Sequence, residues 1–357
     1  MGNIFLDMGR SDVKGLRLLY DQNRNETWSE HSAPTLLAEV SKEELKQRAR
    51  SGAGWPDGWY IVNGSAYAFG QAAMRQTPMQ PESANRYIKG YAGVITAIMC
   101  YQMFEAKSDN QVTVGTMFPP ADYVQAQKLL SAVKGKWRVE GKAGKAEYTV
   151  DKSLAIDEPL GGLMASVMTA EGRVPAKHLF NQDAIDAALL IDIGGYTIDL
   201  YAVDVENGIP KPDPSSANSY RGNSAMHYLM QFERDLRLHY ADDLIGVGEL
   251  PRRTLESALR TGYLRFGNQT IDVTTSRKGI LNTFALEVEN RINMHGGIGQ
   301  YNMVVLTGGG AGLLYQTMTK RDALSRIDVR AIWQNLDNIA FANVYGLARL
   351  YLSRRGV

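Results

Sequence analysis

The chain has 357 residues, enough for about two domains at ~150 residues each. It is 44% hydrophobic and 22% charged, the composition of a globular protein with a sizeable core. Lys and Arg number 39 against 38 Asp and Glu, a net charge of +1 that argues against a general polyanion binder, and the single cysteine excludes a disulfide scaffold.

In chain order, residues 3–6 read as a short buried strand, 7–12 as a turn, and 13–20 as a second apolar run. Polar residues dominate 21–32, and 41–50 has a helical pattern. Residues 51–58 are rich in Gly and Pro and read as a loop. Residues 59–62 and 66–69 flank Asn63-Gly64, the pair that suits a tight primed turn, and predict a hairpin. A buried helix is expected over 87–104, a strand over 111–117 and a helix over 121–133. A second hairpin joins 137–139 to 146–150, and a helix follows over 160–171. Cys100 lies inside the apolar run and reads as a small core residue rather than a reactive thiol, consistent with a reducing cytoplasm.

The pattern then restarts. Residues 187–191 form a buried strand, 192–196 a glycine turn and 197–203 a returning strand; 207–218 reads as a loop. Helices are expected over 224–240, 252–261 and 274–295, with a hairpin over 264–273. A strand over 303–306 enters Thr307-Gly-Gly-Gly310, and an apolar helix over 339–352 closes the chain. No apolar run reaches the ~20 residues of a membrane span, and the first residues carry no basic-then-apolar signal. A soluble cytoplasmic protein is the expectation.

Three segments carry chemistry. In Asp7-Met-Gly-Arg-Ser-Asp-Val-Lys14, Gly9 lets backbone N–H groups approach a phosphate, Ser11 adds a hydroxyl, and Lys14 adds a positive charge. Asp7 can hold water on Mg²⁺; a plain β-turn explains this segment as well. Asp192-Ile-Gly-Gly-Tyr-Thr-Ile-Asp199 offers a second such hairpin through Gly194, Gly195 and Thr197, with Asp192 as a second carboxylate for the metal or its water. Val304-Val-Leu-Thr-Gly-Gly-Gly-Ala311 leaves a strand and enters a helix, which exposes helix-start N–H groups. Its spacing is not the dinucleotide G-x-G-x-x-G, and the chain has no P-loop. The histidines at 31, 178, 227, 239 and 295 are too scattered for a metal site, and no nucleophile elbow occurs.

In this order the three motifs resemble the actin and heat-shock-chaperone ATPase superfamily. The first two look like its phosphate loops and the third like its adenosine motif. Residues 156–163 and 342–346 resemble its two connecting helices, where small residues allow close packing. The style of DIGGYTIDL and LTGGGAGLL, and the hairpin over 60–70, is similar to bacterial and archaeal actin-like proteins of the ParM plasmid-segregation type.

The resemblance implies an α/β, ribonuclease H-like duplicated fold with two domains around a nucleotide cleft. The first domain would be 1–178 plus 337–357, with a small subdomain over about 21–86. The second would be 179–336, with a small subdomain over about 215–273. Carried over, Asp7 and Asp192 would organise Mg²⁺ and its waters. Gly9, Arg10, Ser11, Gly194, Gly195, Tyr196 and Thr197 would meet phosphates, paired by Lys14. Gly308, Gly309, Gly310 and Ala311 would face the adenosine. Glu158 would activate the attacking water, with Asp192 as its catalytic companion; a dipole-favoured first-turn acid is the other reading of Glu158. Glu256 and Arg260 would meet ribose or base, or form a solvated ion-paired face.

The extra charges of Arg10 and Asp12 leave ATP against GTP open. The implied function is a filament-forming ATPase that self-assembles and moves plasmid-like DNA through a separate DNA-binding adaptor, without direct nucleic-acid or membrane contact. A small-molecule kinase and a static scaffold on the same fold remain as alternatives.

Overall fold

The computed structural model describes residues 2–9, 12–20, 26–51, 54–76, 89–118, 123–181, 185–324, 328–331 and 336–355. It divides into two compact units, Met1–Pro175 with Asn343–Val357, and Ala176–Ala342.

The first unit contains β1 (Gly2–Met8), β2 (Asp12–Tyr20), β3 (Glu26–Pro34), β4 (Leu37–Glu39), α1 (Lys42–Arg50), β5 (Trp59–Val62), β6 (Ser65–Phe69), α2 (Val94–Met103), β7 (Asp109–Phe118), α3 (Tyr123–Val133), β8 (Gly135–Gly141), β9 (Gly144–Asp157) and α4 (Glu158–Val167). Its described strands form a nine-stranded sheet in the order β3-β2-β1-β7-β9-β8-β5-β6-β4. All seven residues of β1 are buried, as a strand covered on both faces requires. β1, β7 and β9 run parallel, so their C-terminal ends share one edge. β9 is 14 residues long. Its first half pairs antiparallel with β8 and its second half parallel with β7, and the two pairings overlap at Tyr148 and Val150.

The expected hairpin at Asn63-Gly64 is present, and both residues take the left-handed backbone of a primed turn, φ 48° and 96°. α1 follows its expectation, with the Ser41 hydroxyl accepting from the Glu44 N–H as an N-cap. The helix expected over 87–104 begins with a π-turn at Lys89–Gly93 before α2, and residues 87 and 88 lie outside the described set. Cys100 is fully buried there, and burial pushes its thiol pKa up, which makes it a core residue. β3 is a strand that the polar run 21–32 concealed. It is an edge strand, and Trp28 is its main apolar anchor, with its ring 6.1 Å from Phe5.

The second unit contains β10 (Ala187–Ile193), β11 (Thr197–Glu206), β12 (Ile209–Pro212), β13 (Asn218–Arg221), α5 (Ala225–His239), α6 (Arg252–Thr261), β14 (Tyr263–Phe266), β15 (Gln269–Asp272), α7 (Thr274–Met294), β16 (Met303–Thr307), α8 (Ala311–Met318) and β17 (Asp328–Ala331). Its main sheet runs β12-β11-β10-β16-β17, with β13 beside β11. The expected loop over 207–218 therefore contains an edge strand, β12, laid on the far half of β11. Pro210 and Pro212 fit such an edge position, where a missing N–H costs no ladder bond. α5 buries Tyr228, Leu229, Phe232 and Leu236, one stripe at three- and four-residue spacing. Tyr228 stacks on Phe284 of α7 with centroids 4.3 Å apart.

α9 (Ala342–Arg355) returns to the first unit. Val344, Leu347 and Ala348 pack with Phe5 and Met117. α9 meets α4 at backbone distance: a Cβ on Gly346 would lie 1.7 Å from the Gly161 carbonyl oxygen, and one on Gly161 would lie 2.5 Å from the Asn343 oxygen. The small residues of the two connector-like segments thus leave no room for side chains. Among the described residues, no helix is long and apolar enough to cross a membrane.

Candidate functional site

In the first unit, β1 and β2 form an antiparallel hairpin with Asp7 directly opposite Lys14. Both are largely enclosed, and the Lys14 Nζ lies 3.1 Å from the Asp7 Oδ2. Burial in the strand brings the carboxylate to the sheet edge, and the ion pair offsets its desolvation. A Cβ on Gly9 would sit 2.9 Å from the Asp12 carbonyl oxygen, so the turn is built for glycine. Arg10 and Ser11 lie outside the described residues.

β9 ends at Asp157, on the same edge of the same sheet as the end of β1. At two strand spacings this is roughly 9–10 Å across the sheet. Glu158 is the first residue of α4 and is half-buried, and Pro159 follows at a position where its missing N–H costs nothing. Asp157 is the N-cap residue, yet its side chain caps no helix N–H. It is 6% exposed, and its Oδ1 has no hydrogen-bond partner among the described residues. Desolvation raises its pKa to about 6. The sequence reading passed over Asp157; the adjacent acids of Asp157-Glu158-Pro159 were the available signal.

In the second unit, β10 and β11 form the matching hairpin, with Asp192 opposite Asp199 and the turn at Gly194, Gly195 and Tyr196. Asp192 is 5% exposed. β16 runs parallel to β10 and brings Thr307 level with Asp192. The chain then turns at Gly308, φ 83°, where a Cβ would lie 2.1 Å from the Asp192 Oδ1. A Cβ on Gly310 would lie 2.3 Å from the Ile193 side chain, while its N–H donates to the Ile193 oxygen at 2.9 Å. Ala311 starts α8. The second and third motifs are therefore one structure: parallel strands deliver a buried carboxylate and a helix-start glycine turn to adjacent places on one sheet edge. Such edges are where open α/β sheets bind ligands.

The Thr197 hydroxyl donates to the Asp199 Oδ2 at 2.9 Å, and the Tyr196 side chain is exposed. Glu256 is held by Arg252 at 2.7 Å, within an i,i+4 pair on α6, and Arg260 is exposed one turn further on. The ion-paired face of α6 is thus present. Among the described residues, no three His, Cys, Asp or Glu side chains cluster to hold a metal directly.

Known proteins resemble this chain in the same terms. The family model described as the C-terminal part of the archaeal MreB-like actin homologues matches residues 190–320. No curated protein matches the sequence. Among solved structures, the archaeal actin homologue Ta0583 superposes with TM-score 0.74 at 14% identity, over all of both chains. ParM of Bacillus thuringiensis, solved with ATP, gives 0.68 at 13%, again over all of both chains. A 15-stranded ParM filament from Clostridium botulinum gives 0.64 at 16%, over 99% of each chain. Likeness at these identities is likeness of fold. Together with the strand-edge aspartates and glycine turns, it gives this chain an actin-like fold, and residues 190–320 are similar to the C-terminal part of the archaeal MreB-like actin homologues.

Proposed function

We propose that this protein is a nucleotide-dependent, filament-forming actin-like ATPase. The observation that carries the reading is the closure of Gly308 onto Asp192, which places a buried carboxylate against a glycine turn that opens α8. An acid and a flat, side-chain-free turn in contact suit a metal-bound polyphosphate and the nucleoside attached to it.

The two aspartate-tipped hairpins take the phosphates. Lys14 pairs with phosphate charge, and Gly9, Gly194, Gly195, Tyr196 and Thr197 offer N–H or hydroxyl donors, with Arg10 and Ser11 completing the first loop. Gly308, Gly309, Gly310 and Ala311 form the floor for the adenosine. Asp7 and Asp192 are hard, buried oxygen donors that fit a hydrated Mg²⁺ rather than a fully protein-liganded one. When bound, the ion neutralises phosphate charge. Glu158 accepts a proton from the attacking water and orients it.

The ATP-bound ParM and the ParM filament, both sharing this fold, support nucleotide binding and self-assembly here. Assembly is head-to-tail, a heterologous contact that does not close. Plasmid or similar DNA is the cargo, attached through a DNA-binding adaptor; the net charge of +1 favours indirect over direct contact. Sedimentation of the purified protein with Mg-ATP, Mg-GTP or no nucleotide, followed by imaging of the pellet, tests this. Nucleotide-dependent filaments support the proposal. Phosphate release that requires an added sugar would replace it with a kinase, and indifference to nucleotide would leave a scaffold.

A further inference from the structure

The turn at Gly194-Gly195-Tyr196 is tied to a segment thirty residues along the chain. The Gly194 oxygen accepts from the Ala225 N–H at 3.4 Å and the Gly195 oxygen from the Met226 N–H at 3.0 Å. The Tyr196 oxygen accepts from the Gly222 N–H at 3.2 Å. The Ser224 hydroxyl, on a residue 1% exposed, donates to the Gly195 oxygen at 2.6 Å. Ser224 stands at the N-cap of α5, where a serine side chain ordinarily accepts from its own helix, yet here it makes no such bond. Its hydroxyl is spent on the turn instead.

The peptide bonds are trans, so the C=O and N–H of each unit point in opposite directions. Pinning the Gly194 and Gly195 oxygens on the α5 side turns the Gly195 and Tyr196 N–H groups to the other side. Those two N–H groups donate to no acceptor among the described residues. Successive N–H groups held this way form an anion-binding concavity.

From this we infer that Ser224 is a positioning residue for the second phosphate loop: its hydroxyl fixes the peptide planes that present the Gly195 and Tyr196 N–H groups to a nucleotide phosphate. The inference rests on the nucleotide function proposed above and adds the residue that makes the loop rigid before ligand arrives. Ser224 touches no phosphate itself. Preorganised donors bind an anion without reorganisation, so the loss should fall on phosphate recognition.

Calorimetric titration of Ser224→Ala with Mg-ATP and with adenosine tests it. Removal of one orienting hydrogen bond is expected to weaken Mg-ATP about tenfold while adenosine changes less than twofold. Ser224→Thr, which keeps the hydroxyl, should recover ATP affinity to within about threefold. Equal ATP affinity in Ser224→Ala and wild type would overturn the inference, as would equal losses for ATP and adenosine. If the variant does not fold, amide exchange in the wild type decides: Mg-ATP slows the Gly195 and Tyr196 amides if they hold phosphate, and unchanged rates refute the idea. A wild-type protein that binds no nucleotide would instead overturn the function itself.

Discussion

Asp157→Asn should make the protein more stable at neutral pH and leave it little changed near pH 4. The carboxyl is buried with one oxygen unpartnered, and burial moves its pKa from 3.8 to about 6. Below about pH 3 it holds its proton whether the chain is folded or unfolded. Between pH 4 and 6 the unfolded chain releases that proton and the folded chain keeps it, so stability falls as pH rises; above about pH 6.5 the loss is complete. The gap corresponds to about 3 kcal/mol at roughly 1.4 kcal/mol per pH unit, trimmed to about 2 kcal/mol where water reaches the group. Asparagine has the same shape, never ionises and is a favoured N-cap residue. Urea unfolding of both proteins at pH 4, 5, 6 and 7 measures the difference. It is expected to open by about 2–3 kcal/mol across that range, by the same accounting. Stability curves that stay parallel from pH 4 to 7 would refute the burial argument.

Three further changes probe the other sites. Glu158→Ala should slow phosphate release by at least about a hundredfold while Mg-ATP-dependent pelleting persists, and an unchanged release rate would remove Glu158 from the mechanism. Gly308→Ala forces a Cβ into the Asp192 carboxylate at a left-handed backbone position, so nucleotide-induced thermal stabilisation should vanish; a wild-type shift would show that the turn has no part in binding. Gly346→Ala drives a methyl into the Gly161 carbonyl and should cost about 3 kcal/mol or more in urea unfolding, since neither helix backbone can give way cheaply.

Much of this was legible because it depended on local pattern. The turns at Asn63-Gly64 and at Gly308 after β16 announced themselves through residues that a left-handed backbone favours. The amphipathic stripe of α5 did the same through its period. What escaped reading depended on partners distant in sequence. β3 looks like polar coil because it is an edge strand, and its register opposite β2 is a tertiary fact. β12 hid behind two prolines for the same reason. Nothing near Ser224 indicates that its hydroxyl belongs to Gly195, 29 residues earlier. Asp157 reads as an ordinary helix-start acid until its enclosure by the sheet is seen. Arg10 and Ser11, which the motif singles out, fall outside the described residues, so the first loop is known here from Asp7, Gly9 and Lys14.

β9 runs unbroken from its turn with β8 to the start of α4. At ~3.3 Å per residue it is a rod of about 45 Å. It is laddered to β8 along its first half and to β7 along its second, both ladders are present only around Tyr148 and Val150, and the β7 register slips just beyond, at Asp151. Its two halves therefore meet at an irregularity, where bending costs few ladder bonds. A dye or short epitope grafted at Lys142-Ala143 would follow the β8-paired half, and its motion relative to α4 would measure bending at residues 150–152.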